Sequence, residues 1–456
     1  MSGGSSAGTA SGAAPLAPIT HARVWAVAGP IIISNSTVPL IGIADTAVIG
    51  HLGEADFIAA IALGAIIFST LYWIFGFLRM GTTALAAQAR GRQDPDEIRA
   101  AIQRACLVGV TVGAAMIVLQ LPLGGLVFEA FPAGDRVEAL AGDYFAIRIW
   151  GAPAMLMNFA ILGWFIGLQR ADIALYLQLY LNLANLALDV LFVTGLGFTV
   201  DGVAFGTIIA EWTAMALGLV LVLRHARATT GALFASGDRA RLLDRAALAT
   251  MLSVNRDIFI RSAFLMAAFV WLTMQGAAQS DLILAANGVL LHFFYLTAHA
   301  LDGFAFASEA FVGESKGGGD RQRLRHAVRL TSVWAVAAAL LFALVFWLLG
   351  GWFISLLTNV AEVQETARTY LAWAILFPLV TVASFQLDGI FVGATRTGDM
   401  RNMMALSFAV YIGAWWALQP HGNHGLWAAF ILFNVARGIT LAARYPALER
   451  SVAASR

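Results

Sequence analysis

Gln178, Asn182, Asn185 and Asp189 follow one another at offsets of four, seven and eleven residues within QLYLNLANLALDVLFVTGLGFTVDGVAFGT, the stretch from Gln178 to Thr207. On a helix they fall within an arc of roughly 60°, with leucine, alanine and tyrosine covering most of the rest. A carboxylate on a polar stripe of an apolar helix is costly in lipid. Such a residue faces a protein interior or a water-filled path. Amide stripes also glue helices together, so the pattern alone leaves a packing role open. The chemistry that these residues suit is the binding of a small cation. Two carboxylates held close in a low dielectric do not both stay ionised cheaply, and one of them takes up a proton. The same oxygens also suit Na⁺, a hard cation. Spacing does not choose between the two.

The elements holding the stripe are membrane helices. Of 456 residues, 60% are hydrophobic and 12% charged, with a mean hydropathy of +0.78. A soluble domain carries about 25% charged residues, so this is an integral membrane protein. The net charge of +1 argues against a nucleic-acid partner, and the single cysteine, Cys106, excludes intrachain disulfides and cysteine-based metal sites. No HExxH, P-loop or GxSxG motif is present, and neither an enzymatic activity nor a cofactor is expected. Residues 1–20 are small and lack a basic region followed by an apolar core; a disordered tail is expected there, not a signal peptide.

Twelve apolar segments follow: Val24–Ala44, Phe57–Leu78, Ala105–Phe128, Ile149–Gln169, Ile173–Gly195, Gly202–Leu223, Ser262–Ser280, Leu282–Leu301, Leu330–Ala361, Thr369–Leu387, Asn402–Gln419 and Gly425–Ala436. Each is near or above the ~20 residues that cross ~30 Å of hydrocarbon, functional interruptions allowed for. Arginine sets the orientation. With both termini inside, the inner loops carry Arg90, Arg92, Arg99, Arg104, Arg170, the run from Arg224 to Arg256, Arg321 to Arg329, Arg396 and Arg401. The outer loops carry little beyond Arg136 and Arg368, which predicts cytoplasmic termini. In this topology Asp45 on helix 1, Asp189 on helix 5 and Thr207 on helix 6 share a depth, roughly 8–10 Å below the outer surface. That coincidence favours a cation site made of Asp45, Asn185, Asp189 and Thr207, with Gln178 and Asn182 on the path beneath it. Pro30 removes a backbone hydrogen bond from the helix that carries Asp45 and is expected to bend it.

The chain also repeats itself. GWFIGLQR (Gly163–Arg170) returns as GIFVGATR (Gly389–Arg396), 226 residues later. At the same offset Gln88–Asp94 matches Glu314–Asp320 and Tyr144 matches Tyr370. Two six-helix bundles related by an axis along the membrane normal are therefore predicted. Their extents are 21–223 and 254–445, with an inner linker at 224–253 and a tail at 446–456. The polar cluster is not repeated: Asp45 maps onto Trp271, Asp189 onto Trp415 and, allowing for a gap, Thr207 onto Phe430. The second half has acids of its own. Asp302 and Asp388 are candidates for substrate binding or gating. Glu309 is expected near the inner end, paired with a loop arginine. Arg261 and Arg437 are expected to snorkel, and Arg79 and Arg148 to pair with acids or line a cavity.

IADTAVIGHLG (Ile43–Gly53), NLANLALD ending at Asp189, ALDGFAFASEAFVGESKG and QLDGIFVGATRTGDMRN together resemble the MATE (multidrug and toxic compound extrusion) family, in particular its DinF-like branch. The resemblance runs from about His21 to Tyr445. It implies a monomeric secondary antiporter in the cell membrane that expels organic, cationic or amphipathic compounds in exchange for H⁺ or Na⁺. It also implies that Asp45, Asn185, Asp189 and Thr207 form the coupling site and that Pro30 is the bending proline. The alternative is a flippase for a lipid-linked saccharide or amphipathic lipid, which would need a wide cationic cavity.

Overall fold

In a computed structural model the chain is described over residues 16–50, 54–130, 133–233 and 238–453. Within the first helix, the side chains of residues 38–47 and 49 lie outside the description, Asp45 among them. The helices are α1 (His21–Gly50), α2 (Ala55–Phe75), α3 (Phe77–Gly91), α4 (Pro95–Val118), α5 (Gln120–Ala130), α6 (Asp135–Arg148), α7 (Ala152–Gly167), α8 (Ala171–Asp189), α9 (Val200–Thr229) and α10 (Asp238–Leu242). The second half follows as α11 (Arg245–Gln279), α12 (Asp281–Gly317), α13 (Arg321–Leu357), α14 (Ala361–Gly393), α15 (Thr397–Leu418) and α16 (Gly422–Ala453).

Ten of the helical segments so formed are long and apolar enough to cross a membrane. One of them, Thr397–Val452, is divided into two passes at Gly422, whose φ of 54° breaks the helix. Helix α1, 30 residues and about 45 Å long, completes the twelve. Three first-half passes are built from two helical pieces, and each break has a local cause. Gly76 parts α2 from α3. Pro122 has no N–H for the carbonyl of Val118, where α4 ends, and Pro153 has none for Ile149, whose carbonyl accepts from Ala152 N in a 3₁₀ turn between α6 and α7. Helix α1, by contrast, is continuous through Pro30.

Helices run further than the apolar windows. The charged linker is largely helical, since α9 extends to Thr229 and α11 begins at Arg245. The expected tail after 445 continues α16, where Leu448 and Val452 are buried and Glu449 binds Arg321 and Arg325 at 2.9 and 2.8 Å.

The repeat has a packing cause. A methyl group on Gly163 or Gly167 of α7 would come within 3.0 Å of the carbonyls of Arg79 and Thr83 on α3; one on Gly389 or Gly393 of α14 would do so at Ala305 and Glu309 on α12. These are the same contacts, 226 residues apart. The two glycines of the motif, four residues apart on one face, let a helix sit backbone to backbone on its neighbour. The turns after them repeat too, with left-handed residues at Gln169 (φ 58°) and Thr395 (φ 49°), and at Gln93 (φ 54°) and Gly319 (φ 66°).

The halves meet along the crossing of α3 and α12, near the end of the molecule where residues 16–20 and the last turns of α16 lie. Gly91 rests on the carbonyl of Glu314, and its counterpart Gly317 rests on that of Gln88. Arg90 donates to Leu168 O and to Glu314 (3.0 Å), while the counterpart Lys316 donates to Ala394 O. Gln88 Nε2 reaches Gly393 O at 2.9 Å. The hydrogen bonds that join the halves through described residues run from Asn35–His299, near mid-depth, to this end. In this conformation the terminal side is closed.

Candidate ion and substrate site

The four residues of the α8 stripe form two hydrogen-bonded pairs one above the other. Gln178 Nε2 donates to Asn182 Oδ1 at 2.9 Å, and Asn182 Nδ2 donates across to Thr37 Oγ1 of α1 at 3.0 Å. Asn185 Nδ2 donates to Asp189 Oδ2 at 2.9 Å and to Thr207 Oγ1 of α9 at 3.1 Å; Thr207 passes its own proton to Val203 O at 2.9 Å. Asp189 is 1% exposed and lies flat on α9, where Gly206 leaves the room: a methyl there would collide with its Oδ1. At Asp189 the α-helix also gives way to a π-turn over Val190–Gly195, a feature found often at functional sites because it re-aims side chains.

This stripe faces a cavity of about 330 Å³ that lies wholly in the first half. Gln178, Asn182, Asn185 and Thr207 line it, together with Ser34 and Asn35 of α1, Arg79 of α3 and Glu211 of α9; α7 supplies an apolar wall through Met155, Phe159, Leu162 and Ile166. Five predicted site residues are thus brought together, Asp189 sitting directly behind Asn185. Asp45 lies on α1, but its side chain is outside the described residues. Pro30 is half-buried on α1, one residue before the lining residue Ile31.

Sequence reasoning missed Ser34, Asn35 and Thr37. The signal was available, because SNST (Ser34–Thr37) is an uninterrupted polar run inside an apolar helix, four residues past Pro30.

Arg148 grips Glu211 with two nitrogens at 2.9 and 2.7 Å, so that acid faces the cavity already neutralised. Asp388 is buried and clasped by Arg261 and by Arg437, the latter at 2.7 Å. The expectation that these arginines snorkel is corrected: a buried carboxylate holds both, and it lies outside the first-half cavity. Glu309 is also corrected. It is fully buried and forms no ion pair among the described residues; Glu314, five residues on, pairs with Arg90 and Arg323 (2.6 Å) instead. Asp302 is half-buried on α12, near Arg79 in charge though not bonded to it. His292 and His299 turn their Nδ1 atoms back onto carbonyls four residues earlier, a local bond for each and no shared relay.

Where the first half has the polar cluster, the second is filled with rings. Trp415 and Phe430 are buried in an aromatic core against which Trp271 packs, and Phe430 stacks on Phe377 at 5.7 Å. The two halves share one scaffold, and among the described residues the cavity with its polar lining lies in the first.

The MatE family model matches residues 30–191 and again 258–414, once in each half. The chain belongs to the MatE family. It is 38% identical to DNA damage-inducible protein F of Escherichia coli K12, with 92% of this chain and 91% of the relative covered. It is 27% identical to a probable multidrug resistance protein NorM of Rhizobium meliloti, covering 96% and 95%. Among solved structures, a MOP superfamily transporter from Pyrococcus furiosus aligns with a TM-score of 0.85 over 94% of this chain and 96% of that one. A multidrug resistance MATE family transporter in an outward-facing conformation aligns with 0.84 over 94% and 97%. Both are 18% identical and share the fold: twelve membrane helices in two halves.

Proposed function

We propose that this MatE protein is a secondary antiporter of the cell membrane. In this reading it exports organic, amphipathic compounds in exchange for H⁺ by alternating access of its two halves, with both termini in the cytoplasm and one chain sufficient. The observation that carries the reading is the chain Asp189–Asn185–Thr207 set in the wall of the first-half cavity. Cation and exported compound are then neighbours on one polar stripe, and each can change the other's affinity. Coupling requires that the two ligands bind the two conformations differently. Asp45, Asn185, Asp189 and Thr207 form the coupling site; Gln178 and Asn182 line the path of the compound.

The pose of Asn185 favours H⁺ over Na⁺. Its Nδ2, a donor and not an oxygen, faces both Asp189 and Thr207, so in this pose the amide presents N–H to the space between them where a metal ion would need an oxygen. The apolar α7 wall and the amide face of α8 suit an amphipathic compound. A flippase for a phosphorylated lipid fits less well, because Arg148 is taken by Glu211 and, among the described lining residues, that leaves Arg79 as the cation without an acid in contact. The test is dye export by everted vesicles under an imposed pH gradient without Na⁺, and then the reverse. Asp189→Asn is expected to abolish gradient-driven export. Export as strong as that of the unaltered protein would sink the assignment.

A further inference from the structure

Glu309 has no part in the site above, and its surroundings are unlike those of the other described acids at membrane depth. It is 0% exposed, and its carboxyl group has no ion-pair partner among the described residues; the side chain in hydrogen-bond reach is that of Thr83. It sits in the seam between the halves, where α12 crosses α3. One turn further on, a methyl on Gly313 would collide with Ala87, and Gly393 of α14 packs against the backbone of Glu309 itself. The seam leaves no space for a hydrated ion.

The residue beside it is Thr83, which stands at the corresponding place in the first half, 226 residues earlier. The pseudo-symmetry axis sets an acid against its own counterpart. Thr83 Oγ1 donates to Arg79 O at 2.9 Å, so its oxygen is left as an acceptor. An acceptor beside a carboxyl favours the form that carries an O–H.

The other groups facing Glu309 do not supply a counter-charge. Arg79 of α3 is its nearest cation in charge, but it makes no ion pair among the described residues and lies over the Phe306 ring at 4.4 Å. Asp302, two turns earlier on α12, adds negative charge. On α14, Asp388 is held by Arg261 of α11 and Arg437 of α16. Arg23 of α1 lies over Phe311 and bonds Gln169. From α13 comes only Thr331, bonded to Ser308, and α7 brings its glycines to the far side of α3.

We infer that Glu309 is a second proton-binding site, occupied while the terminal side is closed and emptied when the halves part there and water reaches the carboxyl. The protonation stands on the geometry of the seam. The link to opening rests on the alternating access proposed above. Closure of the cytoplasmic gate then takes up one proton that Asp189 does not hold, and alkaline conditions favour the open gate.

Infrared spectra of the full chain in nanodiscs test the first part, because a protonated buried carboxylic acid has its own C=O stretch. Glu309→Gln is expected to remove one such band at pH 7, apart from any lost in Asp189→Asn; identical spectra for Glu309→Gln and the unaltered protein overturn the proposal. The second part is read by spin labels at Arg92→Cys and Gln322→Cys, exposed positions on either side of the seam, with Cys106→Ser as background. Between pH 5 and 9 the ratio of long to short separations is expected to rise by up to about tenfold per pH unit. Glu309→Gln should hold the short separation throughout, and Glu309→Asp, which keeps an acid, should restore a response. A response in Glu309→Gln equal to that of the unaltered protein refutes the link, and this readout involves no transported compound.

Discussion

The Arg148–Glu211 pair allows a sharp test of whether a cavity-lining acid is a working acid or a structural one. Glu211 and Arg148 are both buried, and the guanidinium contacts the carboxylate through two nitrogens. Gly151 opposite leaves room for nothing larger, and Asn158 fixes the helix by donating to Glu211 O at 3.0 Å. Removing one partner strands a charge in a low dielectric, which costs about 3–5 kcal/mol; replacing both by apolar residues of similar size is close to neutral. The two single losses are unequal here. Arg148 without its acid still lies over the Phe68 and Tyr72 rings at 5.1 and 5.5 Å, contacts worth roughly 0.5–2 kcal/mol. Glu211 without its arginine keeps no ion-pair partner among the described residues.

Arg148→Met is therefore expected to be the most destabilised variant, Glu211→Gln intermediate, and Arg148→Met with Glu211→Leu within about 1–2 kcal/mol of the unaltered protein. Thermal unfolding of detergent-solubilised protein, followed by fluorescence-detected gel filtration, gives the order. Single-variant losses that simply add in the double variant would refute the reasoning. A functional corollary follows. Normalised to folded protein, Glu211→Gln should leave the ion dependence of transport unchanged, because the charge on Glu211 is already committed to Arg148.

Two further outcomes follow from close packing. Gly206→Ala pushes a methyl into the Asp189 carboxylate, and such overpacking costs about 1–3 kcal/mol; the protein is expected to fold with an altered pH profile of transport, read in vesicles, whereas an unchanged profile would detach Asp189 from coupling. Gly393→Ala and Gly167→Ala, the paired glycines of the repeat, should each lower the unfolding temperature, while Gly142→Ala on α6, with open space around it, should match or exceed the starting protein by up to about 1 kcal/mol.

Helix number, the repeat and the polar stripe were legible because each is written in local spacing. The stripe needs only a period of 3.6, and the repeat needs only one offset. What stayed hidden depends on partners far away in sequence. Arg261 and Arg437 read as snorkelling arginines because each sits near the end of an apolar window, and nothing local points to Asp388, 127 and 49 residues distant. Glu309 read as a loop-facing acid for the same reason. Its depth follows from α12 running on to Gly317, well past the apolar window that ends at Leu301.

The asymmetry of the halves then acquires a physical meaning. Both inherit the glycine-knuckle scaffold that sets α7 on α3 and α14 on α12, so both hold their shape alike. The described cavity lies in the first, where Gly206 leaves room for the Asp189 carboxyl and Thr207 accepts from Asn185. The second fills the same volume with Trp415, Phe430 and Phe377. In the alternating access proposed above, the hollow half would carry the ligands and the filled half would supply the face against which the gate closes. Glu309 is the acid that this second half contributes, at the seam and not in a cavity.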